Sequence, residues 1–458
     1  MPQYALRVQC IDHAGRLDLL SLHRLDPRRF PHLFESAAEG ANGRYDILFC
    51  LPGESLVLSK DGRLSGPYAR EDGDFLASFD DWYAAEGGDL EKSALPFKGG
   101  WIYYLGYELA RQIEPTLSLP DFAEDLPIAF ATRMQGAIIR DRLQGSLFIV
   151  VEAERAGEID ALTALVEQAL VETFVNADLP ACDVIEDPAQ RYLDGVKRIR
   201  RYVHNGDVFQ VNLSRAWQLH FTQPVAGFAV YTALRNTNPA PFAALMTWGD
   251  SAIVSSSPER LVLRNASHIE TRPIAGTRRR GHDEVADRAM MAELIGHPKE
   301  RAEHIMLIDL ERNDLGRVCR PGTIEVNELM TVESYAHVHH IVSNVRGQPR
   351  EGLLPGQLFK AVFPGGTITG CPKVRCMEIL AELEQTGRGP YTGTLGYLNL
   401  DGTLDSNILI RTIFMADSQR GVLRTGAGIV ADSIPERELD ETRAKARGLL
   451  LALGEEAP

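Results

Sequence analysis

Alternating apolar and polar positions dominate the first third of the chain. ALRVQCI (5–11), YDILFCL (45–51), SLVLSK (55–60), QGAIIR (135–140) and GSLFIVVEA (145–153) read as strands joined by turns bearing Gly, Asp and Pro. PFKGGWIYYLGYELARQIEP (96–115) predicts an aromatic strand that follows a double Gly and runs into a short helix. Helical spacing takes over from Ala156 to Phe174, and the polar, Pro-bearing run 176–190 reads as a linker. Residues 191–219 then predict a helix, a turn at Asn205–Gly206 and a strand. AIVSSS and RLVLR predict two further strands around a turn that carries Glu259.

Two later helices carry the most pointed pattern. In PKERAEHIMLIDLERND, Pro298 suits a first turn, where its missing N–H costs nothing. Glu300 and Glu303, three residues apart, fall on one face near the positive end of that helix. In SIPERELDETRAKARGLLLAL, Ser433 and Glu436 have capping-box spacing, and Leu439, Thr442, Ala446, Leu449 and Leu453 form an inward stripe. Glu438, Glu441 and Lys445 lie on the neighbouring face. If the two helices pack side by side, four carboxylates converge, and their repulsion calls for a hard, oxygen-seeking dication, most simply Mg2+. The alternative is a pair of solvated helix faces.

At 458 residues the chain exceeds one ordinary core, and the linker suggests a division into 1–185 and 186–452. Hydrophobic content of 44% with 24% charged residues is that of a soluble globular protein. No apolar run approaches the roughly 20 residues that span a bilayer, and the N-terminus lacks a signal peptide's basic start and apolar stretch, so no membrane and a cytoplasmic location are expected. The net charge of −15 opposes nucleic acid and anionic membranes as partners. Six scattered cysteines give no zinc spacing and fit a reducing compartment, with Cys371 and Cys376 read as packing residues.

SSSPER (255–260), RPIAGTRRRG (272–281), FPGGTITGCPKVRCMEI (363–379), RGPYTGTLGY (388–397) and RTGAGIVADS (424–433) together resemble the chorismate-utilising enzyme family over about residues 189–449. The Gly-rich run is not a nucleotide loop, because Gly370 is followed by Cys-Pro-Lys. The resemblance implies a mixed α/β (α+β) fold: two large, mostly antiparallel sheets stacked around a core, with helices outside. It implies Mg2+ on Glu303 and Glu441, with Glu300 and Glu438 nearby or acting through water. Glu259 or His340 would protonate the leaving C4 hydroxyl of chorismate. Thr367, Tyr391 and Arg411 would hold carboxylates of this dicarboxylate substrate, with Lys445 as a further cation in an acidic chain. Gly426 and Gly428 would offer backbone N–H groups, and Thr277 a hydroxyl.

Three features bear on which reaction is run. Gln210 stands where water-using members place a Lys base, and Gln takes no proton at neutral pH, which favours ammonia. The QVNL and GGW…GYELA wording resembles that of members aminating C4, the route to p-aminobenzoate and folate. Ala275 stands where many of those carry a nucleophilic Lys, and is shared with members that aminate C2 and release anthranilate and pyruvate. Isochorismate formation and a non-catalytic role are the remaining alternatives. HLFESAAEG (32–40) and NPAPF (238–242) resemble the two walls of a tryptophan pocket, giving Glu35, Ser36, Pro239 and Phe242; a helix start and a rigid turn would also account for them. The chain carries no glutaminase signature, so ammonia would come from solution or from a separate glutaminase subunit.

Overall fold

The computed structural model describes residues 4–36, 43–172, 178–334 and 338–455. The tail of the HLFESAAEG segment (37–40) and residues 173–177, where the predicted helix ends and the linker begins, lie outside them.

The architecture is built on one long antiparallel strand pair. Strands Tyr45–Leu58 and Ala129–Asp141 pair along almost their whole length, with a register break between Pro52 and Ser55. Each half of this pair founds a sheet. From the Tyr45 end, one sheet runs through His32–Glu35, Phe242–Trp248, Ser251–Ser257, Thr412–Met415 and Arg420–Ile429 to Gln210–Phe221 and Cys182–Glu186. Ser146–Glu152 and Leu6–Ile11 extend its other side. From the Leu58 end, the second sheet runs through Gly100–Leu105, Thr394–Asn399, Leu404–Asn407, Arg260–Arg264 and Ile269–Thr271 to Val338–Gly347. That last strand also pairs with Ile274–Arg279 and Glu325–Ser334. Every one of these ladders is antiparallel, as the alternating patterns require.

The sheets face each other across Tyr104, Phe130 and Leu395 from one and Met246, Ile253 and Phe414 from the other. Helices cover the outer faces. Leu19–Leu25, Ile159–Val171, Gly227–Thr237 and Pro435–Ala452 pack on the first sheet, and Phe75–Glu86, Pro298–Gly316 and Pro355–Val362 on the second. The expected stacked sandwich with helices outside is therefore the observed fold. Strands from before and after residue 185 pair directly, as His32–Glu35 does with Phe242–Trp248 and Gly100–Leu105 with Thr394–Asn399.

Three local expectations are corrected. Within the supposed linker, Cys182–Glu186 forms an edge strand; its five residues are too short to announce themselves, and the long partner Gln210–Phe221 supplies the order. The capping box does not form: the last helix starts at Pro435 after Ile434, and Ser433 Oγ instead accepts the Val430 N–H at 3.1 Å. The two Glu-bearing helices do not lie side by side. Pro298–Gly316 packs on strands Ile274–Arg279 and Val338–Gly347, and Pro435–Ala452 on Arg420–Ile429 and helices Ala189–His204 and Gly227–Thr237.

Candidate active site

Where the sheets part, the loops and ends of both bring most of the predicted residues into one network. Glu259 ends the turn between strands of different sheets and is buried, not exposed as a turn carboxylate usually is. Burial pushes its pKa up to about 7, against the pull of the Thr367 hydroxyl, the Ile274 N–H and the Lys445 ammonium. Thr367 Oγ1 lies near that carboxyl yet makes no hydrogen bond of ordinary geometry. His340 is buried, and burial together with the Arg411 charge lowers its pKa to about 4. A neutral imidazole at pH 7 is a poor acid, which leaves Glu259 as the better proton donor of the two. Ala275 is buried opposite Ile341, and Thr277 sits in register with His340; the Thr277 side chain lies outside the described residues.

Arg411 precedes the strand Thr412–Met415 in a left-handed conformation, φ 51°. Its guanidinium is half-buried, beside Tyr391 and Glu441 electrostatically, and burial lowers its pKa. Among the described residues no carboxylate lies within 4.0 Å of it. Tyr391 is fixed from behind by Arg388, whose guanidinium stacks 5.5 Å from its ring and is itself bonded to Glu384 at 2.7 Å.

The glycines of the strand Arg420–Ile429 allow side chains to close in. A Cβ on Gly426 would stand 2.8 Å from the Tyr391 hydroxyl, and one on Gly428 would stand 2.1 Å from Gln210 Nε2. That amide nitrogen donates to Glu303 Oε1 at 2.8 Å, while Gln210 Oε1 is buried without a partner. Gly428→Ala should therefore push Gln210 off Glu303 and lower kcat by about 10- to 100-fold, since misplaced site groups cost on that order. Retained circular dichroism with reduced kcat would support this; full activity would refute it.

The four acidic residues suit a hard cation in kind but not in placement. Glu300 Oε1 lies 3.3 Å from Arg278, Glu303 accepts from Gln210, and Glu441 pairs with Lys445 at 2.8 Å. Lys445 also donates to the Gly426 carbonyl at 2.9 Å. Glu438 is half-buried on the same helix as Glu441, and its charge reaches Tyr192. Among the described residues no three acidic, His or Cys side chains gather closely enough to cage a metal ion.

Sequence reasoning missed Arg278, Glu311, Asp314 and Lys373. Glu311 and Asp314 occupy buried positions of the stripe that His304, Leu307, Ile308 and Leu315 share. Burial and the neighbouring Asp314 push the Glu311 pKa up, and Lys373 pairs with Asp314 at 2.7 Å. Carboxylates in the apolar register of the helix were the available signal.

A cavity of about 280 Å³ lies away from this network, lined by Glu35, Ser36, Phe242, Arg260 and Tyr397 among others. Pro241 rather than Pro239 contributes to its wall. Glu35 accepts from the Tyr231 hydroxyl at 2.7 Å, and the Ser36 hydroxyl donates to the Pro241 carbonyl at 3.2 Å.

The family model for chorismate binding enzymes matches residues 57–451. The chain is 39% identical to aminodeoxychorismate synthase component 1 of Bacillus subtilis (strain 168), over 95% of this chain and 94% of that one. It is 42% identical to an anthranilate synthase component I-like protein of Synechocystis sp., over 78% of this chain and 73% of that one. Among solved structures, anthranilate synthase component I from Streptococcus pneumoniae superposes with a TM-score of 0.80 at 31% identity, covering 90% of this chain and 93% of that one.

Proposed function

The chain belongs to the chorismate binding enzymes, and from that premise we propose that it aminates chorismate at C4 with ammonia, giving 4-amino-4-deoxychorismate and water. The observation that carries the reading is a buried carboxyl, Glu259, whose pKa burial raises to about 7 against the pull of Lys445, together with a guanidinium, Arg411, that pairs with no carboxylate among the described residues and acts on His340, Tyr391 and Glu441. In this reading a substrate carboxylate takes the forked N–H groups of Arg411, with Tyr391 and Thr367 as neighbouring hydroxyl donors. Glu259 gives its proton to the C4 oxygen as the C4–O bond breaks, so that hydroxide never leaves as such. The nitrogen lone pair forms the C4–N bond, and the proton lost by nitrogen balances the one given up by Glu259. Gln210 has a buried amide oxygen free to accept an N–H from ammonia, and no proton affinity with which to activate water.

Mg2+ belongs to the proposal as a cation admitted with substrate. Glu300, Glu303, Glu438 and Glu441 are its candidate oxygen donors, and their present partners would have to yield. A separate glutaminase subunit is proposed as the ammonia source, in keeping with the component 1 name of the Bacillus subtilis relative. The cavity at Glu35 and Ser36 remains a candidate tryptophan pocket.

Support for C4 over C2 comes from the relative named for C4 amination, which aligns across nearly the whole chain. Ala275 favours the second reading, amination at C2, because its methyl group offers no nucleophile for a covalent route. Product analysis decides. Chorismate, an ammonium salt and Mg2+ should yield an intermediate that releases p-aminobenzoate only after addition of the matching lyase. Glutamine should replace ammonium only when a glutaminase subunit is added. Fluorescent anthranilate and pyruvate formed without lyase would establish the C2 reaction instead.

A further inference from the structure

The GYELA segment grips the loop that carries Tyr391. Tyr107 and Glu108 lie in the helical turn Tyr107–Leu109, just after the strand Gly100–Leu105. Glu108 is buried, and its carboxylate accepts the Arg388 N–H at 2.7 Å and the Gly389 N–H at 3.1 Å. The Tyr107 N–H donates to the Gly389 carbonyl at 2.9 Å, and the Tyr107 ring lies 4.9 Å from the Arg388 guanidinium. Arg388 passes this grip on. It is 2% exposed, and it donates to Glu384 through Nε at 2.9 Å and through Nη2 at 2.7 Å. Nη2 also reaches the Asn212 carbonyl at 2.8 Å, and Nη1 reaches the Ile368 carbonyl at 3.3 Å and the Thr392 hydroxyl at 3.2 Å. Asn212 in turn donates through Nδ2 to the Thr367 carbonyl at 3.0 Å. One buried guanidinium thus touches Tyr391 directly, and Thr367 through its neighbour Ile368 and through Asn212.

We propose that Glu108 and Tyr107 are positioning residues, which act through Arg388 to set Tyr391 and Thr367 as one unit for a substrate carboxylate. The proposal rests on the reading above of Tyr391 and Thr367 as donors to that carboxylate. Two neighbouring N–H groups at a buried bend need acceptors, and a carboxylate offers nothing but acceptors, in short charge-assisted bonds. A glutamine of the same shape would turn an amide NH2 toward one of those N–H groups, donor against donor. The bend would then move off the GYELA turn, and Tyr391, three residues on from Arg388, would move with it. There is little room for that movement, since a Cβ on Gly426 would already stand 2.8 Å from the Tyr391 hydroxyl. Arg388 keeps its other anchor, because Glu384 is itself held by the Ser214 N–H and hydroxyl, each at 2.8 Å. Loss of the Glu108 bonds should therefore shift the loop and leave it folded.

The test is a double-mutant cycle in the full chain, read as chorismate affinity by calorimetry with ammonia absent, and as KM and kcat with ammonium present. Glu108→Gln and Tyr391→Phe should each weaken chorismate binding about tenfold, the factor expected for one well-placed hydrogen bond to a charged group. The double variant should be weaker by about ten- to twentyfold, and not by the roughly hundredfold to which independent losses multiply. In turnover, the Glu108→Gln defect should fall mostly on KM, because the contact it disturbs is one of binding. General loosening of the fold would lower the melting temperature without making the two losses overlap. A double variant close to hundredfold weaker would overturn the proposal, as would wild-type affinity in folded Glu108→Gln. If Glu108→Gln fails to fold, Tyr107→Leu takes its place in the cycle, since it removes the ring against Arg388 and keeps the carboxylate, and the same outcomes decide. Wild-type chorismate affinity in Tyr391→Phe would instead remove the reading of Tyr391 as a carboxylate donor, and this proposal with it.

Discussion

Glu259→Gln should lower kcat by about 10³-fold or more, at the upper end of what a positioned general acid contributes, and at the same time raise the melting temperature at pH 8. The two effects have one cause. Burial holds the Glu259 carboxyl near pKa 7 instead of its ordinary 4.5, with Thr367, Ile274 and Lys445 only partly offsetting the cost. A glutamine of the same shape has no acidic proton to give. The stability effect follows from linkage. An acid whose pKa is raised on folding contributes stability that is fully present below the unfolded value of 4.5 and is lost as pH rises through about 7. At pH 8 the folded protein carries the whole penalty of a buried charge, roughly 1–3 kcal/mol after relaxation of the surroundings. Glutamine removes that penalty, so the gain should be a few degrees at pH 8 and near zero at pH 5. Wild-type kcat/KM, corrected for the fraction of free ammonia, should fall as pH passes through about 7, and the variant's residual rate should not. A variant that keeps a tenth of the activity, or gains as much stability at pH 5 as at pH 8, would remove Glu259 from the role of acid.

How far these features were legible depends on whether their cause is local. Alternation along YDILFCL and GSLFIVVEA is a local signal, and both segments are strands in the long central pair and its neighbours. The inward stripe Leu439, Thr442, Ala446, Leu449 and Leu453 is equally local, and all five are buried. The relation between the two Glu-bearing helices is not local. Spacing within each helix places its carboxylates on a face, but the strands on which each helix packs are set by long-range pairing. Glu259 looks exposed because a turn usually faces water, and it is buried because the turn joins strands of two stacked sheets. Arg278 sits in a run of three arginines, and its partner Glu300 lies on a helix that nothing in the run itself announces. Glu311 and Asp314 were readable in principle, since charge at core spacing is anomalous without any knowledge of what lies opposite.

Arg411→Met should reduce kcat/KM by about 10²- to 10³-fold, almost entirely through KM, because a forked charge-assisted pair to a desolvated carboxylate is among the stronger single contacts available. Among the described residues no carboxylate pairs with this guanidinium. It is half-buried, burial lowers its pKa, and Tyr391 and Glu441 act on it only through space. Glu441 is committed to Lys445 at 2.8 Å, and Tyr391 packs under Arg388. A substrate carboxylate would supply the missing charge, and binding energy would come from relieving an existing cost as well as from new hydrogen bonds. Stability should therefore respond in the opposite direction to affinity. Without ligand, Arg411→Met should melt at the wild-type temperature or slightly above, since an uncompensated buried charge has gone. With saturating chorismate the wild type should gain several degrees and the variant almost none, as expected for a ligand that binds only the folded wild type tightly. Arg411→Lys should recover part of the affinity and little of the rate, because an ammonium attracts a carboxylate without fixing its plane. Near-wild-type chorismate binding by Arg411→Met, measured by calorimetry or by the thermal shift, would show that the carboxylate is held elsewhere, with Lys445 the next cation to test.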